Sequence, residues 1–347
     1  MALEIWNRRY TGSKYKLAGW IDELIETHCE GSSFCDIFAG TGVVAATELK
    51  RFDRVVLNDF LYSNHVIYKA FFQEGAHDPE RLEARMKQWL QTPEDEMPST
   101  FVYEQYGGRY FSARDAKIIG YLREKIEESR PELTEKEYCM LLAGLLYSAD
   151  KAANTVGHYD AYIKGKPIRD TFHFEQIHPF DTSGKTIEIC REDANQLARR
   201  LRCDVVYIDP PYNSRQYSRF YHVLETLTKG GTPQLFGEAL KPEPENMSEY
   251  CRNAAAGAFR DLIAHLDCRY LVVSYNNTYH SKSSSSRNKI ELEDIVKALE
   301  SRGEVEIHAK EHPYFNAGKT EFSDHKEYIF IARVTTPAAR ENAGGME

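Results

Sequence analysis

The chain has 347 residues, a length typical of one large domain with an insertion or of two domains. Hydrophobic residues make up 42% of the chain and charged residues 28%, which excludes a globally disordered or fibrous protein. The net charge of −9 excludes a protein that coats nucleic acid indiscriminately, and the longest apolar runs, such as 205–208 and 270–273, are far shorter than the roughly 20 residues of a membrane span.

Residues 1–20 mix charged and polar side chains from the start and lack the apolar core of a signal peptide, so we predict a protein that stays in the cytoplasm. The seven cysteines form no C-x-x-C pair and stand mostly in apolar surroundings. We therefore predict reduced, buried thiols, without disulfides or a zinc site, and we predict no metal ligands.

Basic residues concentrate in three segments, 1–20, 151–169 and 276–290, which leaves the rest of the chain strongly acidic. This segregation predicts a basic binding face on an acidic body. Three unrelated solvated loops are the alternative interpretation.

Short β-rich runs appear in chain order at 34–38, 54–57, 186–190, 205–208 and 270–274, with helical patterns between most of them. This alternation predicts a parallel α/β sheet. Two further runs, 305–310 and 327–334, are joined without a helical pattern, so we predict that the sheet ends in an antiparallel pair.

The strand and helix alternation stops between residues 73 and 185, where charged helical segments at 113–130 and 134–153 replace it. We interpret 73–185 as an inserted, mainly helical subdomain whose Gly-, Lys- and Tyr-rich end is an exposed recognition loop. The remaining segments, 1–72 and 186–335, then form the main domain. We predict a mobile serine-rich loop at 283–286 and a flexible tail at 336–347.

A glycine turn follows the first predicted strand and leads into a helix predicted over 43–50. The end of this strand and the turn together supply Asp36, Phe38, Ala39, Gly40, Thr41 and Gly42. Glycines at such a turn let a ligand approach the backbone. The short G-T-G pattern fits a nucleoside better than a dinucleotide pyrophosphate. Asp59 ends the second strand, where a carboxylate can accept hydrogen bonds from both ribose hydroxyls.

The most specific motif is Asp209-Pro210-Pro211-Tyr212, which directly follows the apolar run 205–208. Two prolines fix the backbone and remove two N–H donors, leaving carbonyl acceptors beside a carboxylate. Such an array suits an exocyclic amine, with Asp209 and the Pro210 carbonyl each accepting one N–H and the Tyr212 ring stacking on the attached heterocycle.

This tetrad and the glycine turn together resemble the paired motifs of S-adenosylmethionine-dependent DNA adenine-N6 methyltransferases. The motif order is similar to that of the D12-class, α-type branch, and the residues after the tetrad resemble those of FokI-type restriction-modification adenine methylases. The resemblance implies a Rossmann-like methyltransferase sheet, S-adenosyl-L-methionine as cofactor, and a target-recognition role for the insertion 73–185.

The resemblance also implies roles for individual residues. Asp209, Pro210, Pro211 and Tyr212 would be catalytic. Tyr10 and Lys14 match an N-terminal motif that contacts the methionine part of the cofactor, and Asp193 matches an acid that binds its adenine amine.

Our candidates for DNA contact combine the basic loops with the aromatic and basic run that follows the tetrad; they are Lys151, Lys164, Lys166, Arg169, Arg215, Tyr217, Arg219, Lys282 and Arg287. Packing of the aromatic side chains against helices is the alternative for that run. The segment 274–277 ends the next strand, and we expect it to support the target pocket.

The sequence therefore predicts a site-specific adenine-N6 methyltransferase that acts on double-stranded DNA with the target base flipped out. We expect a prokaryotic or phage-encoded monomer or weak dimer, with a restriction endonuclease as a separate partner. The same chemistry on RNA and a non-catalytic DNA-binding protein on a methylase scaffold remain the alternatives.

Overall fold

The computed structural model describes residues 3–278, 287–311 and 326–339 and has one seven-stranded sheet at its centre. The strands are β1 (Ser33–Asp36), β2 (Arg54–Asn58), β3 (Thr186–Cys190), β4 (Arg202–Ile208), β5 (Asp267–Asn276), β6 (Gly303–Glu311) and β7 (Lys326–Val334). Their order across the sheet is β3-β2-β1-β4-β5-β7-β6, and β7 runs antiparallel to both of its neighbours while the other pairs are parallel. The predicted Rossmann-like α/β sheet with an antiparallel last hairpin is confirmed.

Twelve α-helices surround the sheet within the described residues. They are α1 (Ala18–His28), α2 (Val43–Glu48), α3 (Tyr62–Phe72), α4 (Pro79–Leu90), α5 (Phe101–Tyr106), α6 (Ala113–Glu128), α7 (Glu135–Ala152), α8 (Ala194–Ala198), α9 (Tyr217–Phe220), α10 (His222–Lys229), α11 (Ala255–His265) and α12 (Leu292–Glu300). The helices predicted at 113–130 and 134–153 correspond to α6 and α7.

The central strands are buried on both faces, as expected for parallel strands that are covered by helices on each side. Alternate residues of one strand enter different cores: Val205 packs with α1, α2 and α3, whereas Val206 packs with α8, α11 and α12. The apolar run of β4 therefore supplies two hydrophobic cores and holds the residues after it at a rigid edge.

The insertion contributes α4 to α7. Its longest helix, α7, begins with a capping box in which Thr134 and Glu137 bond to each other's backbone. That helix is buried along nearly its whole length and packs on α3 and α10. The insertion and one face of the sheet consequently share a hydrophobic core, and the division at residues 73 and 185 stays a prediction.

Two predicted mobile regions fall where the structure gives no description: the serine patch 283–286 and, within the tail 336–347, residues 340–347. In the part of the chain that is described, no helix is long and apolar enough to cross a membrane.

Candidate active site

A cleft of about 880 Å³, open to solvent, lies at the carboxyl edge of the sheet. The predicted site residues that line this cleft are Tyr10, Lys14, Asp36, Phe38, Ala39, Gly40, Thr41, Asp59, Asp193, Asp209, Pro211 and Tyr217. Strand ends that are distant in sequence are thus brought to one edge, as the parallel sheet predicts.

The glycine turn needs both of its glycines, because the backbone of Gly40 has a φ of +52° and that of Gly42 a φ of +76°. A side chain on Gly40 would also meet the Tyr10 ring, since a Cβ there would lie 3.3 Å from Cε1. Asp59 stabilises the turn through two hydrogen bonds. Its Oδ2 accepts one from the Gly40 amide at 3.1 Å, and its Oδ1 accepts one from the Leu61 amide at 2.8 Å. Asp59 therefore shapes the turn as well as facing the cleft.

Asp36 is a buried carboxyl group at the end of β1, with 1% of its surface exposed. Its Oδ1 has no hydrogen-bond partner among the described residues. Burial, and then the charges of Asp209 and Asp59, raise the pKa of Asp36 well above its ordinary value. This carboxyl group is costly to ionise without a positive charge beside it.

Lys14 supplies one such charge, and it is bound to the first residue of the tetrad. Its Nζ donates to Asp209 Oδ1 at 2.8 Å and to Oδ2 at 2.7 Å, with 6% of the lysine and 16% of the aspartate side chain exposed. Burial opposes the ammonium charge, but Asp209 and Glu327 outweigh it and raise the pKa of Lys14. The family resemblance implied a cofactor contact for this lysine, and the structure adds a direct contact with Asp209.

Tyr212 completes the hydrogen bonding of the same carboxylate. Its hydroxyl donates to Asp209 Oδ1 at 2.7 Å and lies 3.2 Å from Ser274 Oγ. The ring contacts Tyr275 at a centroid distance of 4.5 Å, and Lys14 Nζ lies 4.9 Å from its centre. The predicted stacking of this ring on a target base stays a prediction.

A stack of tyrosines fixes the turn that carries Lys14. The Tyr10 ring lies parallel to Tyr221 at 4.8 Å and also stacks on Tyr217 at 5.3 Å. The Thr11 amide donates to Tyr221 Oη at 2.8 Å, and Tyr217 Oη donates to the Thr11 carbonyl at 3.0 Å. Two tyrosines of the run after the tetrad thus hold the N-terminal turn against the cleft, and the predicted DNA contact of Tyr217 stays a prediction.

The opposite wall contains residues that the sequence did not single out. Tyr250 meets Phe38 edge to face at 4.9 Å, and its hydroxyl donates to Asn195 at 2.8 Å. Asp193 lines the cleft and also accepts from two backbone amides at the start of α8. No motif marks Tyr250, which lies 38 residues after Tyr212 in a short 3-10 helix, Glu249–Cys251. Only the fold brings it to the cleft.

Among the described residues that line the cleft, Lys14 is the one basic side chain, whereas five are acidic: Asp36, Asp59, Glu192, Asp193 and Asp209. Such a lining repels phosphates and attracts a cation. The cleft therefore suits a nucleoside that carries positive charge.

A second, shallower depression adjoins the cleft and contains two of the predicted DNA contacts, Arg215 and Arg219. Gln216 borders both depressions. The His158 ring stacks on Phe220 at 4.6 Å on the floor of this second depression.

The other predicted DNA contacts are more scattered. Lys151 is paired with Glu175 at 2.9 Å, and Lys164 is paired with Glu238. Lys166, Arg169 and Arg287 are exposed, and Lys282 lies outside the described residues.

The charge count of segment 1–20 was misleading. Arg8 and Lys14 are buried, and the partly exposed Arg9 donates to Asp150. The expectation that this segment contributes to a basic surface is therefore wrong for Arg8 and Lys14, because their charges serve internal contacts.

Known proteins resemble this chain over the region that contains these motifs. A family model described as D12 class N6 adenine-specific DNA methyltransferase matches residues 10–290. The modification methylase StsI of Streptococcus sanguinis is 33% identical over 92% of this chain, which spans 50% of that relative. The type II methyltransferases M.CviAII of Paramecium bursaria Chlorella virus 1 and M.NlaIII of Neisseria lactamica are 31% and 30% identical, each over 94% of this chain, which spans 98% and 99% of their lengths.

Proposed function

Because the chain belongs to the D12 class of N6 adenine-specific DNA methyltransferases, we propose that it transfers the methyl group of S-adenosyl-L-methionine to the N6 amine of an adenine in double-stranded DNA. The observation that carries the proposal is the Asp209 carboxylate, held by Lys14 and Tyr212 at the edge of an acidic cleft.

The acidic cleft fits the donor. S-adenosylmethionine, when bound, supplies an electrophilic methyl group on a positively charged sulfur. Asp36, which is buried and lacks a partner for Oδ1 among the described residues, gains a favourable charge interaction from a cation in the cleft. Asp59 and Asp193 retain acceptor lone pairs for the ribose hydroxyls and the adenine amine, because a carboxylate accepts about four hydrogen bonds.

The tetrad fits the acceptor amine. The lone pair of adenine N6 is delocalised into the ring, so the amine is a weak nucleophile. Hydrogen bonds from N6 to Asp209 and to the Pro210 carbonyl favour a pyramidal nitrogen and stabilise its developing positive charge. Lys14 and Tyr212 orient the Asp209 carboxylate and leave Oδ2 with one bonded donor among the described residues. Loss of the N6 proton follows methyl transfer.

The adenine must leave the double helix to reach Asp209, because N6 of a paired base is enclosed by the duplex. The depression with Arg215 and Arg219 adjoins the cleft, so phosphates of the target strand can bind there while the base occupies the space beside Tyr212. We propose that residues 73–185 recognise the target sequence, that 1–72 and 186–335 catalyse the reaction, and that 336–347 form a flexible tail.

The bacterial and viral type II relatives support a role in restriction-modification. We propose that the protein acts in the cytoplasm of a prokaryote, where its DNA substrate lies, as a monomer or weak dimer. A cognate restriction endonuclease would be a separate protein that recognises the same sequence.

Long-read modification sequencing of DNA from a methylation-free bacterial host tests this proposal. The host expresses the protein, its Asp209→Ala variant, or Asp53→Ala, which removes an exposed aspartate at the opposite edge of the sheet. We expect N6-methyladenine at one defined motif with the first and third proteins and none with Asp209→Ala. Unmodified DNA in the presence of folded, donor-binding protein would indicate RNA as the substrate. Absence of donor binding would indicate a non-catalytic protein.

A further inference from the structure

Three potential metal ligands meet far from the cleft, between α1 and the outermost strand. His28 is the last residue of α1, and Glu306 and His308 lie two residues apart on β6, so their side chains share one face of the strand. The helix lies over this face along its length, because Lys310 of the same strand places its Nζ 5.5 Å from the centre of the Trp20 ring. This cluster therefore bridges the end of α1 and the outermost strand, where 55% of the Glu306 side chain is exposed.

The cluster is close to the geometry of a metal site. Glu306 Oε2 lies 3.0 Å from His28 Nδ1 and 3.6 Å from His308 Nε2. One ligand atom from each of the three residues lies within 4.8 Å of the other two. In a tetrahedral zinc site with bonds of about 2.0–2.2 Å, neighbouring ligand atoms lie about 3.3–3.5 Å apart. Small side-chain rotations would bring all three atoms to that spacing.

One of the two imidazoles also lacks a hydrogen bond. His308 Nε2 is shielded from solvent and has no hydrogen-bond partner among the residues that the structure describes. Enclosed polar nitrogens are nearly always paired with a protein group, water or ion. Nε2 points towards the other two ligands, so a shared cation would satisfy it.

We propose that His28, Glu306 and His308 bind one divalent transition-metal ion of the zinc class and thereby fasten the end of α1 to β6. Two imidazole nitrogens and one carboxylate oxygen form a known zinc ligand set, with water in the fourth position.

The proposed ion is structural. The carboxylate of Asp209 and the turn that carries Lys14 lie at the carboxyl edge of the sheet, and the cleft is not lined by any of the three metal ligands. Metal binding to the folded chain would raise its stability without taking part in methyl transfer.

Zinc binding by the metal-stripped, full-length protein tests the proposal. We expect one Zn²⁺ per chain in equilibrium dialysis, with an affinity at least tenfold lower in His28→Ala, His308→Ala and the more conservative His308→Gln. The matched control is His265→Ala, which removes an imidazole that also lies beside a carboxylate, 3.2 Å from Asp261, but has no second histidine in a ligand cluster of the described residues. Equal affinity in all variants, or no zinc binding by the unaltered protein, would overturn the proposal.

Two further measurements distinguish this site from binding to cysteines or from misfolding of a variant. Co²⁺ bound to the unaltered protein should show visible d–d absorption without a thiolate charge-transfer band, and such a band would overturn the assignment. Zinc should raise the unfolding temperature of the unaltered protein and of the His265→Ala control but not that of His308→Gln. Equal zinc stabilisation of a folded His308→Gln protein would also contradict the proposal.

Discussion

The ion pair between Lys14 and Asp209 leads to a specific prediction about the free energy of unfolding. Replacing Lys14 with methionine keeps much of the side-chain volume but leaves a carboxylate that is 16% exposed without its ammonium partner. Removing one member of a buried ion pair costs about 3–5 kcal/mol, and the partial exposure of Asp209 favours the lower end, about 3 kcal/mol. Lys16→Met is the matched control, because Lys16 is exposed and two residues away.

Urea unfolding of Lys14→Met, Asp209→Asn and the double variant measures this energy as a double-mutant cycle. We expect a coupling energy of about 2–3 kcal/mol, since the second substitution removes the charge that the first leaves unpaired. Additivity of the two single losses to within about 0.5 kcal/mol would refute the ion pair as a stabilising contact.

The pH dependence of the coupling follows from the raised pKa of Lys14. A lysine with a raised pKa in the folded state contributes stability that is complete below its unfolded value of about 10.4 and is lost only as the pH rises through the folded value. The coupling energy should therefore be constant between about pH 7 and pH 9. A decline within that window would show that Lys14 loses its proton in the folded protein earlier than the structure implies.

Three further changes are expected to have measurable effects. Asp36→Asn should raise the unfolding temperature of the ligand-free protein at neutral pH by about 2 °C or more, because burial and then neighbouring carboxylates raise the pKa of the acid it replaces. Differential scanning calorimetry should show that this gain in unfolding temperature shrinks towards about pH 4, where the carboxyl group takes up a proton in both the folded and the unfolded protein. Titration calorimetry should show that the variant binds the methyl donor about tenfold or more weakly. Arg215→Gln should weaken DNA binding and reduce the magnitude of the slope of log affinity against log salt by about 1. The control Lys125→Gln, on the outer surface of α6, should leave that slope unchanged. Equal slopes for Arg215→Gln and the unaltered protein would show that Arg215 does not contact DNA. Tyr221→Phe should lower the free energy of unfolding, measured with urea, by about 1 kcal/mol and should weaken donor binding, because the Thr11 amide loses its acceptor. An unchanged free energy of unfolding and unchanged donor binding would contradict the role given to the tyrosine stack.

The sheet could be predicted from the sequence because its strands are short apolar runs with clear ends. Asp36, which ends β1, and Asp209, which directly follows β4, were placed at one edge by the rule that parallel strands end together. The antiparallel hairpin β6–β7 was predictable for a similar reason, since no helical pattern separates its strands.

The contacts inside the site could not be predicted, because they depend on orientation rather than on pattern. Lys14 and Asp209 are 195 residues apart, and nothing in either motif indicates their contact. An aromatic run such as that around Tyr217 suits both DNA contact and packing, and only the fold shows that Tyr217 packs against Tyr10. A charge count cannot distinguish the buried Arg8 from a surface arginine.

The burial of Leu3 and Lys14 against residues far along the chain affects how the protein folds as it is synthesised. Leu3 is fully buried, and its amide donates to the Gln176 carbonyl at 2.7 Å, so this residue waits for a partner that is synthesised much later. Lys14 waits longer still, for a carboxylate 195 residues downstream. Long-range contacts of this kind slow folding and keep nascent segments exposed until their partners are synthesised. A nascent chain that stalls before Asp209 holds the glycine turn but lacks the carboxylate beside it, so premature termination yields no partially active enzyme.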